Sequence, residues 1–154
     1  MEGPKRVWSA SLGLLILRLG MGGYMLTHGW PKLQKLLSGE FDGFPDPLGV
    51  GSTASLVLIV VGEFLCPILV MLGLGTRLAA IPTVIGMCVA AFIVHKNDPW
   101  TMGGGAAKEP ALLYAIPFLA LVFTGAGRIS LDALIFCRCC RPKVEDNVTT
   151  VKKN

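Results

Sequence analysis

Charge is what this sequence has least of. Only 16% of its 154 residues are Asp, Glu, Lys or Arg, while 53% are hydrophobic and mean hydropathy is +0.63. A soluble domain of this size has no use for so much apolar surface, so an ordinary soluble globule is excluded. The chain is also too short for a second domain. Its net charge of +4 lies mostly at the two ends. There it reads as juxtamembrane charge setting orientation, not as a nucleic-acid surface. Of the five cysteines, Cys66 and Cys88 lie inside apolar runs and neither belongs to a Cys-x-x-Cys pair, while Cys137, Cys139 and Cys140 crowd one tail. That excludes a secreted disulfide framework and argues against a disulfide-generating enzyme in its own right. Phosphate-cradling glycine loops, a nucleophile elbow, a dinucleotide motif and an i, i+4 histidine pair are all missing. No inverted repeat suggests a carrier. The N-terminal Lys5 and Arg6 precede an apolar run as in a signal peptide. The run is too long, holds Arg18 and lacks a small-x-small cleavage site, so it is expected to stay attached.

What is present is four long apolar blocks. Residues 54–80 are the clearest, since crossing the hydrocarbon core takes roughly 20 apolar residues. The expected fold is an all-α membrane protein. Four transmembrane helices, at about 8–29, 53–74, 78–95 and 109–125, form one bundle over residues 1–136. A short amphipathic interfacial helix is expected at 30–41, after the first span, and another near the C-terminus over the apolar segment that Ser130 caps. Ser52 or Thr53 is expected to cap the second span. Residues 137–154 form a basic, cysteine-containing cytoplasmic tail. Lys and Arg counts in the flanks place both termini in the cytoplasm.

The few charges inside apolar runs are the candidate functional residues. Glu63 lies near the middle of the second span and Arg18 about ten residues into the first. A charge at bilayer centre costs about 3 kcal/mol or more unless it finds a partner. If the two helices are antiparallel, an Arg18–Glu63 ion pair is the natural solution, with water or snorkelling as the alternative. Ser11, Arg18, Gly22 and Gly29 share one helix face, where small residues permit close approach. His28, His95 and Glu109 fall at the outer ends of their helices, with Trp30 and Trp100 beside them. Three readings stand for this set: interface structure, a site for a quinone head group or its protons, or a metal site. Cys66, Cys88 and the methionines Met21, Met25, Met71 and Met87 read as packing residues. The Cys137/Cys139/Cys140 cluster has no evident fourth ligand for zinc and reads as accessible reduced thiols, with a metal or cluster shared with another subunit, or an attached lipid, as the alternatives. Arg77 and Arg128 read as inner-face headgroup anchors and orientation signals, with lipid or partner docking as the alternative.

Several local patterns coincide: Arg18 with His28-Gly29-Trp30-Pro31-Lys32, Gly62-Glu63 with the stretch 73–79, then His95, Glu109 and the stretch 125–132. In order and spacing they resemble the DoxX family over roughly residues 12–135. Ala126 stands where that family usually has proline. The resemblance implies a bacterial inner-membrane protein of four helices. Family members have been linked to thiosulfate:quinone oxidoreductases and to membrane oxidoreductase complexes that handle thiols or oxidative stress; others in the superfamily resemble assembly factors. The functional expectation is therefore an integral subunit of a quinone- or thiol-linked redox complex, an accessory subunit of a quinone-linked oxidoreductase. Its outward-facing pocket would be built from His28, His95 and Glu109. A non-catalytic structural or assembly subunit is the alternative. No catalytic residue, metal or intrinsic cofactor is assigned, and quinone is the expected ligand. Expected partners are the lipid bilayer and other membrane subunits or further copies of the chain, with no nucleic acid.

Overall fold

A computed structural model describes residues 4–103 and 105–139, with side chains from residue 8 to 135. Among the described residues every regular element is helical. The elements are α1 (Pro4–Ser38), α2 (Ser52–Leu72), α3 (Thr76–Val94), α4 (Glu109–Thr124) and α5 (Leu131–Cys139). The first three are long and apolar enough to cross a membrane, whereas α4 is apolar but shorter.

The sharpest departure from expectation is α1. It continues through Trp30 and Pro31 to Ser38, so residues 30–41 form no separate interfacial helix. A proline inside a helix removes one backbone hydrogen bond. Here that loss falls in the part of α1 that packs against α2. Three points fix the antiparallel register of the pair. Gly22 faces Pro67 and Met71, Gly29 faces the Glu63 backbone, and Arg18 lies against Gly73. A Cβ at Gly29 would collide with the Glu63 carbonyl, so glycine there lets the two backbones touch. The buried face of α1 carries Ser11, Arg18, Gly22, Met25 and Gly29, as the helical spacing predicts.

The loop before α2 supplies its cap. Gly51, not Ser52 or Thr53, is the N-cap residue, and it makes no side-chain cap. Asp46, five residues before Gly51, braces the turn that leads into the helix. Its carboxylate accepts from Gly51 N–H at 2.7 Å, Val50 N–H at 3.0 Å and the Ser55 hydroxyl at 2.7 Å. Those contacts, the Ser55 hydroxyl foremost, hold Asp46 below the usual carboxylate range.

Two π-helical turns interrupt the regular spacing, at Val61–Leu65 in α2 and Ala90–Val94 at the end of α3. Such turns concentrate at functional sites because the extra residue swings side chains out of helical phase. The first holds Glu63, and the second ends at His95, whose N–H donates to Ala90 O. The Thr83 hydroxyl donates to Gly62 O at 2.6 Å, securing the first π turn to α3. The core between the helices is built from Met25, Val70, Ala80, Met87, Phe118 and Leu121. Cys66 is buried in it and Cys88 is half-buried, both as free thiols. The backbone of Cys137 and Cys139 ends α5. The remainder of the expected tail, and the side chains of that cysteine cluster, lie outside the described residues.

Candidate functional site: a polar cavity and an arginine clamp

The two intramembrane charges do not meet. Arg18 is fully buried, and its guanidinium donates to the carbonyls of Val70 (3.3 Å), Met71 (3.4 Å) and Ile129 (2.5 Å). Two of these carbonyls belong to the last turn of α2, where helix geometry leaves acceptors unpaired and a partial negative charge. Arg18 thus caps a helix C-terminus instead of neutralising a carboxylate. Glu63 is 2% exposed and pairs with Lys32, Nζ to Oε2 at 2.5 Å. The expected Arg18–Glu63 pair is corrected for a geometric reason. With α1 running unbroken to Ser38, Arg18 sits level with the end of α2 and Glu63 level with Gly29. The missed partner was legible in one respect: Lys32 lies about four turns beyond Arg18, on the same face, once α1 is carried through Pro31.

The chain around Arg18 forms a clamp drawn from three distant segments. Gly73 closes α2 in a left-handed conformation (φ 71°), with Gly73 N–H to Val70 O at 3.0 Å and Leu74 N–H to Leu69 O at 2.9 Å. A side chain at Gly73 would strike both the Arg18 guanidinium and Ser130. Across the turn, the Asp132 carboxylate accepts from Gly75 N–H (2.7 Å) and Thr76 N–H (3.1 Å), placing an anion on the positive end of α3. Asp132 N–H in turn donates to Gly73 O at 2.8 Å. Ser130 caps α5 as expected, accepting from Ala133 N–H at 3.1 Å. Arg77 and Arg128 are both exposed at this end.

The opposite half of the bundle holds a cavity of about 260 Å³. Met25, Met87, Ala90 and Ala111 supply apolar walls, and Lys32 and Glu63 line it together with Tyr114. His28 and His95 line the same cavity, so the structure does bring the two imidazoles to one site. His28 Nε2 lies 3.2 Å from the Tyr114 hydroxyl, with the rings edge to face. His95 Nδ1 is 2.7 Å from Asp98 Oδ2, which leaves Nε2 as its uncommitted ring nitrogen. Glu109, expected as the third member, does not line the cavity. Its Oε2 accepts Met102 N–H at 2.9 Å and shapes the loop over the mouth. That carboxylate is at the start of α4, where an acid favours the helix N-terminus. The place expected for it is taken by Glu63, deeper and paired. Lys108 ties down the loop whose Met102, Ala106 and Ala107 line the cavity, donating to Asp98 O (2.7 Å) and Lys96 O (3.0 Å) beside the Trp100 ring. Among the described residues no cluster of three or more His, Cys, Asp or Glu side chains suits a metal ion.

These features define a small all-helical membrane protein with a polar cavity at one end and a buried arginine clamp at the other. Residues 13–96 match the DoxX family, and the chain belongs to it. Two uncharacterized proteins of Haemophilus influenzae are similar. One is 29% identical over 129 residues, covering 82% of this chain and 85% of the relative. The other is 35% identical over 133 residues, covering 80% and 90%. An uncharacterized membrane protein of Mycobacterium tuberculosis is 32% identical over 152 residues, covering 85% of this chain and 82% of the relative. No solved structure shows significant similarity.

Proposed function

We propose that this chain is a four-span integral subunit of a quinone-linked redox assembly in a bacterial inner membrane, with both termini cytoplasmic and the histidine-lined cavity facing outward. The observation that supports this is the Lys32–Glu63 pair set, at the level of Gly29, into a cavity that His28, His95 and Tyr114 also line. An ion pair inside a membrane bundle is costly to keep and marks a functional site by default. The residues present fit a quinone ring. Met25, Met87 and Ala111 give it apolar walls, while Lys32 Nζ, the Tyr114 hydroxyl and the imidazoles are donors for carbonyl oxygens. When bound, a quinone supplies an acceptor of two electrons and two protons; the electrons come from a partner subunit.

The chain's own contribution is binding and proton management. Lys32 presents a donor and a positive charge to one carbonyl oxygen. Glu63 holds that ammonium in place and offers a carboxylate oxygen as a proton station. His95, oriented by Asp98 through Nδ1, keeps Nε2 for a hydrogen bond within the cavity. The loop pinned by Lys108 limits how much water enters.

The test is to purify the protein in mild detergent with native lipid, extract it and quantify quinone. Wild-type protein retains quinone near one per chain, and Lys32→Met and Glu63→Gln retain several-fold less while remaining monodisperse on size exclusion. Absence of quinone from wild-type protein, or equal retention by both variants, overturns the assignment.

One observation favours a second reading, a non-catalytic assembly subunit. At about 1.5 Å per residue α1 is about 50 Å long. The part before Arg18 runs past the end of α2 with Trp8, Leu12 and Ile16 exposed. Under that reading a stable protein partner is recovered from native membranes, and its recovery falls when Trp8 and Ile16 are replaced by Ser.

A further inference from the structure

A second concavity, of about 460 Å³, lies at the arginine end between the first turn of α3 and the Gly125–Gly127 turn after α4. It is separate from the cavity described above. Thr76, Arg77, Leu78 and Asp132 all line it. Thr76 is fully buried, yet its hydroxyl has no hydrogen-bond partner. A buried hydroxyl left unpaired is costly, so native structures seldom keep one without a reason. Arg77 is exposed and lies across Gly125, where an added Cβ would stand 3.1 Å from Arg77 Nε. Glycine with φ 76° at that point keeps the arginine stem flat against the turn. Asp132 uses each carboxylate oxygen once, on Gly75 and Thr76 N–H, and a carboxylate has about four acceptor sites. The hollow therefore offers a planar cation, a spare hydroxyl and a partly used anion. Leu78, 76% exposed, and Ala133 give it an apolar edge.

We infer that this hollow is a binding site for a phospholipid headgroup that carries both a phosphodiester and a primary ammonium, as phosphatidylethanolamine does. The Arg77 fork and the Thr76 hydroxyl take the phosphodiester oxygens, since a guanidinium meets phosphate with paired donors. The ammonium donates to the free acceptor sites of Asp132. The acyl chains leave over Leu78. A free phosphate satisfies the cation but leaves Asp132 facing a like charge. A choline headgroup carries the charge without an N–H to donate.

The experiment is thermal unfolding of the full chain in detergent, with phosphatidylethanolamine, phosphatidylcholine, phosphatidylglycerol or inorganic phosphate added in turn. Wild-type protein is expected to gain several degrees with phosphatidylethanolamine and clearly less with the other three. Arg77→Gln removes most of that gain. Thr76→Val is the more discriminating variant. It deletes a hydroxyl that bonds nothing in the lipid-free protein, so its melting temperature without lipid equals or exceeds that of wild type, while its response to phosphatidylethanolamine shrinks. Equal gains from all three lipids mean general solvation by lipid only and overturn the inference. So does a gain from phosphatidylglycerol or inorganic phosphate that matches phosphatidylethanolamine, or an undiminished response in Thr76→Val.

Discussion

Separate anchoring of the two buried charges is open to a double-mutant test. Lys32→Met, Glu63→Gln and Arg18→Met would be made singly and in pairs, with unfolding free energies measured by denaturant titration in detergent micelles. The Glu63 side chain is 3% exposed and that of Lys32 31%. Stranding one member of a fully buried pair costs about 3–5 kcal/mol. A third of the lysine reaches the cavity, so Lys32→Met is expected to cost about 2–3 kcal/mol, with Glu63→Gln somewhat less because the amide keeps the shape. Removing both charges strands neither, so the double variant should fall short of the sum by about 1–2 kcal/mol. Arg18→Met instead withdraws a charged donor from the Val70 and Ile129 carbonyls, of which Val70 O keeps the Gly73 N–H. Charge-assisted bonds are worth about 1.5–3 kcal/mol each, and the contact to Met71 at 3.4 Å is long, so two bonds set an expected cost of about 3–5 kcal/mol. Arg18 and Gly29, the level of Glu63, stand about 16 Å apart along α1. The Arg18 and Glu63 substitutions should then add to within about 0.5 kcal/mol. Coupling above about 1 kcal/mol between Arg18 and Glu63, or none between Lys32 and Glu63, would refute the assignment of partners.

Other outcomes follow from single positions. Gly29→Ala should lower stability by about 1–3 kcal/mol, because its Cβ meets the Glu63 backbone, which has no flexible end to move aside. Gly20→Ala has open space around it and should be neutral or stabilising by up to about 1 kcal/mol, so paired melting curves separate packing from helix propensity. Thr83→Val leaves Gly62 O without its donor inside the α2 π turn and should cost about 1–3 kcal/mol, read in the same assay. Asp46 is held below its ordinary carboxylate value by Ser55 and the Val50 and Gly51 N–H groups. Its contribution is therefore complete above that ordinary value and is lost as pH falls through the lower folded one, below about pH 4. Amide exchange at Val50 and Gly51 should accelerate in wild type over that range relative to the intrinsic rate. Asp46→Asn should show faster exchange at neutral pH and no such acid transition.

Much of this architecture was legible before any fold was known, and the parts that were not share one cause. Long apolar blocks dictate helices in a membrane, because a backbone in hydrocarbon must satisfy its own hydrogen bonds. That logic located α2, α3 and α4 to within a few residues, and the face of Ser11, Arg18, Gly22 and Gly29 as the buried one. It also placed His28 and His95 at a common end, where they line one cavity. Which charge meets which depends on the relative height of neighbouring helices. Hydropathy does not encode that height, because an apolar stripe slides along another at little cost. The register was set by contacts between distant segments: Gly29 on the Glu63 backbone, Gly73 under Arg18, Asp132 on the first turn of α3. Local composition determined that Arg18 and Glu63 must be buried and satisfied. Only the packing of α1 as one helix through Pro31 decided that Lys32 would answer the carboxylate and the end of α2 the guanidinium.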